Sequence, residues 1–208
     1  AGSSSNGSNY DFAVVRYNTN GSLDNTFDID GKVITAIGAI NDIGASLAIQ
    51  ADGKIVVAGS SVTVASAGMV AVVRYNTDGS LDNTFDTDGK VTTVVGPGNN
   101  DYGYAIAIQA DGKIVVTGYT LNNTSYDIIV VRYNSDGSLD NTFDTDGKVI
   151  TDIGTGSWDY GYAIAIQADG KIVVAGLSFN DTINSFAVVR YNSNGSLDNT
   201  FDTDGKVT

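Results

Sequence analysis

The apolar residues of this chain fall into short runs broken by turn residues. AIAIQ (105–109), KIVVTGY (113–119) and DIIVVRYN (127–134) are rich in Val, Ile and Tyr, the residues that favour strands. No window sustains a 3.6-residue apolar period, so no helix is predicted. KIVV is apolar at consecutive positions, as in a strand covered on both faces. Asp-Gly stands between neighbouring runs and supplies the positive φ that a tight turn requires. The pattern predicts strand A (AIAIQ), strand B (KIVVTGY), strand C (DIIVVRYN) and strand D (SLDNTF). KVITDIG follows, either as the true outer strand or as a link to the next unit.

The pattern recurs. RYNTNGSLDNTFDIDGKV begins at Arg16, and near-copies begin at Arg74, Arg132 and Arg190, a step of 58 residues each time. A second block, IAIQADGKIVV or LAIQADGKIVV, starts at Leu47, Ile106 and Ile164. Its one-residue slip shows that short insertions between blocks are tolerated. Repetition at a fixed period marks an array of like units. The expected fold is all-β, with β-propeller blades of four antiparallel strands covered on both faces by copies of themselves. A β-solenoid is the alternative, but its parallel strands would not need a hairpin twice per repeat.

GYAIAIQADGKIVVTGY and RYNSDGSLDNTF resemble the delta-60 repeat, a bacterial β-propeller family of undefined function, over essentially the whole chain. The resemblance implies a propeller in large secreted or surface-attached proteins and brings no catalytic residues to transfer. The chain departs from that pattern after the phenylalanine, where DTDG or DIDG stands in place of a glycine-rich turn.

The expected organisation is a single array over 1–208. Residues 1–46 form a partial first blade plus linker, 47–104 and 105–162 are repeats, and 163–208 is the last repeat. The opening AGSS matches Ala58–Ser61, the end of a strand B, so the first sheet should lack strand A. The chain is expected to be a partial propeller of about three and a half repeats, with neighbouring blades of the same or another chain as partners.

Composition narrows the chemistry. Lys and Arg number 11 against 24 acidic residues, all Asp, and the net charge is −13 with no His or Cys. All four Arg follow a Val-Val pair and all seven Lys follow Asp-Gly, so no basic cluster exists. Nucleic acid and anionic membrane surfaces are disfavoured partners, and no apolar run approaches membrane-spanning length. Without Cys there are no disulfides or thiolate metal sites.

The aspartates of RYNSDGSLDNTFDTDGKV (132–149) invite a metal reading. Calcium takes six to eight oxygens, often with a bidentate Glu. Here no Glu exists, and Phe143 and Lys148 interrupt the series. Asp140, Asp144 and Asp146 and their repeat equivalents are therefore expected to make turns and ion pairs. Calcium is the alternative cofactor; no other is expected. Catalysis is not expected either, because these carboxylates are copied into every repeat and catalytic residues are usually singular.

Divergence among the repeats is concentrated in the B–C segments (60–71, 119–129, 177–187) and in the segments entering strand A. In a meander both connections lie at one end of the blade, and recognition is usually placed on such loops. That end carries Tyr102, Tyr104, Tyr119, Tyr126, Trp158, Tyr160 and Tyr162, with Asn99, Asn100, Asp101, Asn122, Asn123 and Asp159. Trp158, Tyr160, Tyr102, Tyr119 and Asn122 are the expected ligand contacts, toward a surface glycan or protein. Packing between blades and unconstrained loop drift would explain the same residues. The expected function is a non-enzymatic, extracellular or cell-surface structural or adhesive module, with a ligand-binding propeller as the alternative.

Overall fold

The structure is a computed structural model that describes residues 1–63, 67–98, 100–154, 156–180 and 182–208. Its described residues form four antiparallel sheets in chain order. The first has three strands, β1 (Gly2–Ser5), β2 (Tyr10–Val15) and β3 (Lys32–Thr35). The second holds β4 (Asp42–Ile49), β5 (Ile55–Val62), β6 (Gly68–Tyr75) and β7 (Lys90–Thr93). The third holds β8 (Asp101–Ile108), β9 (Ile114–Asn122), β10 (Ser125–Tyr133) and β11 (Lys148–Thr151). The fourth holds β12 (Trp158–Ile166), β13 (Ile172–Phe179), β14 (Asn184–Tyr191) and β15 (Lys206–Val207). Each is a meander whose strands pair only with their chain neighbours, and successive sheets meet through β4, β8 and β12. This is the all-β array of about three and a half blades that the repeats imply, with strand A missing from the first.

Of the two roles open to KVITDIG, the structure shows the outer strand. SLDNTF contributes only an isolated bridge, such as Tyr133 to Leu139, and KVIT forms the outer strand, pairing Val149 with Val130. Local side chains explain this. Asp140 Oδ1 accepts hydrogen bonds from the Thr142 N–H (3.1 Å) and hydroxyl (2.7 Å). Asp and Thr bonding to nearby backbone compete with the strand ladder. The loop therefore curls, Phe143 drops into the core, and the chain returns as β11.

The Asp-Gly turns behave as predicted, with φ of +84° at Gly112 and +94° at Gly137. A second glycine role lies mid-strand. The inner strands bulge between Gly44 and Ser46, Gly103 and Ala105, and Gly161 and Ala163. Opposite each bulge, a Cβ on Gly59, Gly118 or Gly176 would land on the carbonyl of Ile43, Tyr102 or Tyr160.

The core lies between sheets. One apolar cluster joins the first and second, a second joins the second and third, and a third joins the third and fourth. β5 is buried at seven consecutive positions, as a strand covered on both faces should be. In the last sheet Phe186 is 69% exposed, whereas its counterpart Ile128 is buried.

Polar contacts lock each junction in a fixed register. Tyr133 donates its hydroxyl hydrogen to Thr93 Oγ1 at 2.7 Å, as Tyr75 does to Thr35 and Tyr191 to Thr151. Arg16, Arg74 and Arg132 each donate from Nη1 to the carbonyl of Thr77, Ser135 or Ser193 in the next blade. The N–H of Asp86 and of Asp144 donates to the carbonyl of Asp136 and of Asn194.

Candidate functional site

The Asp-rich turns are structural in their geometry. Asp140 Oδ2 lies 2.7 Å from Arg132 Nε and 2.9 Å from Lys113 Nζ, and the same guanidinium covers the Phe143 ring. Burial alone would raise the Asp140 pKa, but Lys113, the Thr142 donors and the Arg132 charge outweigh it and hold the carboxyl well below its usual range. Asp82 is held the same way by Lys54, Thr84 and Arg74. Ion pairs at these aspartates were expected, and surface pairs of this kind are usually weak. The Arg132–Asp140 and Arg74–Asp82 pairs are instead buried, where an unpaired charge is costly.

Asp144 and Thr145 have positive φ of 45° and 70°, a conformation that Asp tolerates better than most residues. Asp146 accepts the Lys148 N–H at 3.0 Å and pairs with its ammonium at 3.2 Å. The Asp140 and Asp146 carboxylates thus serve separate local partners, Asp144 bonds through its backbone, and among the described residues the three form no common ligand set.

The aromatic residues converge. Tyr119 on β9 is the hub, with ring centroids at 4.8 Å from Tyr160, 5.0 Å from Tyr102, 5.1 Å from Tyr126 and 5.5 Å from Tyr104. Trp158 stands edge-on to Tyr126 at 5.7 Å and near Phe179 at 6.3 Å. Tyr162 extends the row through Tyr160 and Tyr104. The rings of blades three and four make one continuous patch at the variable end.

Within that patch the rings differ in access. Tyr104, Trp158 and Tyr162 are 38%, 41% and 49% exposed, while Tyr102, Tyr119, Tyr126 and Tyr160 are half-buried. Burial and the Tyr104 hydroxyl push the Tyr119 pKa up, so its phenol stays neutral. The inner rings are packing; the outer three are partly open to solvent, with Tyr104 stacked on Tyr119 and Tyr162 on Tyr160.

The amides and carboxylates named with them divide likewise. Asn122 donates to Asp127 Oδ2 at 2.6 Å, Asn123 turns the β9–β10 hairpin with φ of +59°, and Asn100 bridges to Gly68. Asp101 is buried, accepting N–H bonds from Val95 and Gly96. Asn99 lies outside the described residues.

Sequence reasoning missed one constellation. Asp127 on β10, Asp152 beyond β11 and Asp159 on β12 each present an oxygen within 4.8 Å of the others. Asp127 and Asp159 are buried and Asp152 is exposed. Burial, with the charge of Asp152 adding to it, raises the pKa of both buried carboxyls against their hydroxyl and amide donors. The available signal was the departure of Asp127 and Asp152 from their repeat counterparts Met69 and Val94.

At the opposite end, a groove of about 680 Å³ lies between the third and fourth blades. Framework residues line it, among them Gln109, Asp111, Lys113 and Arg132.

A family model described as a domain of unknown function (DUF5122) beta-propeller matches residues 1–27, 50–85, 109–143 and 167–201. Tyr102, Tyr104, Asp152, Trp158, Asp159, Tyr160 and Tyr162 all fall outside those spans. No curated protein matches the chain. Among solved structures, a fucose lectin from Kordia zhangzhouensis in complex with methyl-fucoside is similar at 13% identity and a TM-score of 0.40. That match covers 71% of this chain and 92% of the lectin chain.

Proposed function

The chain belongs to the DUF5122 β-propeller family, and from that premise we propose that it is a non-catalytic ligand-binding module that takes a glycan on its variable end. The observation that carries this reading is the continuous aromatic patch of blades three and four, with Tyr104, Trp158 and Tyr162 open to solvent. Aromatic faces with a polar tip suit partners that are apolar on one side and hydroxylated on the other. Exposed apolar patches on rigid scaffolds commonly mark such contacts.

The non-catalytic part rests on the acid–base inventory. The carboxylates with the lowest pKa values sit in framework ion pairs repeated along the chain, and His and Cys are absent from the chain. The delta-60 resemblance supports an extracellular or cell-surface setting. A second reading, a structural or adhesive spacer, is favoured by the regular interblade locks.

A glycan array separates the two. Selective binding that is lost in Trp158→Ala and Tyr162→Ala, with melting temperature unchanged, supports the glycan reading. Absence of selective binding by the wild-type chain sinks it and leaves the spacer.

A further inference from the structure

The three junctions between blades use one polar device, and the third departs from it. At the first, Asp42 accepts the Ile37 N–H on Oδ2 at 2.7 Å and the Gly38 N–H on Oδ1 at 3.1 Å. At the second, Asp101 does the same with Val95 at 2.7 Å and Gly96 at 3.1 Å, and Thr120 adds its hydroxyl to Oδ1. Both oxygens of each carboxylate are thereby engaged.

At the third junction Asp159 accepts the Ile153 N–H on Oδ2 at 2.7 Å and the Ser157 hydroxyl at 3.0 Å. The Gly154 N–H turns instead to Ser157 Oγ, 3.2 Å away. Ser178, the cross-strand partner of Asp159, favours the ionised form but makes no hydrogen bond to Oδ1. Asp159 is wholly buried, and its Oδ1 has no partner. A buried carboxylate oxygen left so is expensive.

Two further carboxylates gather where one is already under-satisfied. Asp127 occupies the position held by Met69 in the previous blade, and Asp152 that of Val94. Asp11 and Ala36 stand there at the first junction, which therefore has two carboxylates rather than three. Among the described residues no ion pair reaches Asp127, Asp152 or Asp159. The Lys206 ammonium donates to the Asp152 carbonyl at 3.3 Å and pairs with Asp204 at 3.7 Å. Lys90 makes the same carbonyl contact to Ala36, so this lysine is framework and does not answer the added charge.

We infer that Asp127, Asp152 and Asp159 form a divalent-cation site of the calcium class, joining blade three to blade four. The donors are hard oxygens, as such ions require. Ser157 Oγ, and Ser125 Oγ at 3.4 Å from Asp127 Oδ1, offer further oxygens beside the carboxylates. A cation would supply the missing partner of Asp159 Oδ1 and relieve repulsion among three charges. The site is independent of whether the aromatic patch takes a glycan.

Terbium luminescence tests the site directly, because Trp158 and Tyr160 flank Asp159 and can sensitise the ion. After treatment with chelator, the 208-residue chain should show saturable terbium emission that calcium displaces. An apparent calcium dissociation constant on the order of 10⁻⁴ M would match extracellular modules. Asp152→Asn, at an exposed position, should weaken binding at least about tenfold with an unchanged circular dichroism spectrum. Asp11→Asn, at the first junction, should leave binding as in the wild type. Unsaturable emission from the wild-type chain would overturn the inference. So would terbium affinity unchanged in both Asp152→Asn and Asp152→Ala.

Discussion

Tyr133 of the third blade donates its hydroxyl hydrogen to Thr93 Oγ1 of the second at 2.7 Å, and both groups are buried. The bond ties the end of one β10 strand to the outer strand of the blade before it. Removing one partner leaves the other unsatisfied away from water. Tyr133→Phe should therefore cost about 1 kcal/mol in denaturant unfolding. A double-mutant cycle with Thr93→Val should show coupling between the two sites. Additive effects would mean that the hydroxyls do not act as a pair.

Asp140→Asn should be more damaging. It weakens the carboxylate that holds Arg132 and Lys113 in a buried position, at an expected cost of about 3 kcal/mol. The equilibrium unfolding midpoint measures this, and a change within experimental error would place the pair among the weak surface bridges.

Two glycines should respond differently. Gly112→Val forces a β-branched residue to φ of +84°, at a cost of roughly 1–3 kcal/mol. Gly118→Ala keeps an ordinary backbone but drives a methyl onto the Tyr102 carbonyl, so the bulge must open and the aromatic hub must shift. Thermal melts should rank Gly118→Ala as at least equally destabilising, and only that variant should change near-ultraviolet circular dichroism. Identical near-ultraviolet spectra would show that the bulge does not position Tyr102.

The pH dependence should have two phases of opposite sign. Asp127 and Asp159 have folded pKa values raised above the unfolded value. They add stability when protonated, and lose that contribution as pH rises through their folded pKa values. Asp82 and Asp140 have lowered values. Their contribution is present above the unfolded value of 3.8 and disappears as pH falls through their folded values. Urea unfolding should thus show a mild rise in stability as acidification passes through the raised values and a loss as it passes through the lowered ones. Calcium should flatten the mild rise, because a bound cation favours the ionised carboxylates. A rise of equal size with and without calcium would disconnect it from the trio.

Much of the fold was legible because four copies of one pattern repeat the same instructions. Consecutive apolar residues in β5 and β9 announced two covered faces, and the Asp-Gly pairs announced hairpins. The outer strand was not legible. Leu139 and Phe143 look like strand residues, and only Asp140 capping the Thr142 N–H turns that segment into a loop. The aromatic patch could be named residue by residue from divergence at one end, although its division into packed and open rings needed coordinates. Asp127 and Asp152 were unreadable as a pair. They lie on opposite sides of the framework loop and meet because β11 returns to pair with β10, Thr151 opposite Ile128, while Asp159 joins them from blade four.

The interblade contacts have a direction. The Arg16 guanidinium and the Asp28 N–H donate hydrogen bonds forward to the carbonyls of Thr77 and Asp78, and the Tyr75 hydroxyl donates one backward to Thr35 Oγ1. Each blade therefore has a leading and a trailing side that are complementary but unlike. Two copies related by a two-fold axis would set donor against donor and satisfy none of these bonds. Docking of one blade on another is heterologous, always leading side to trailing side. Cohesion then accrues junction by junction, as in a polar chain of identical couplings. A lesion at one coupling should weaken its two neighbours and be scarcely felt beyond them.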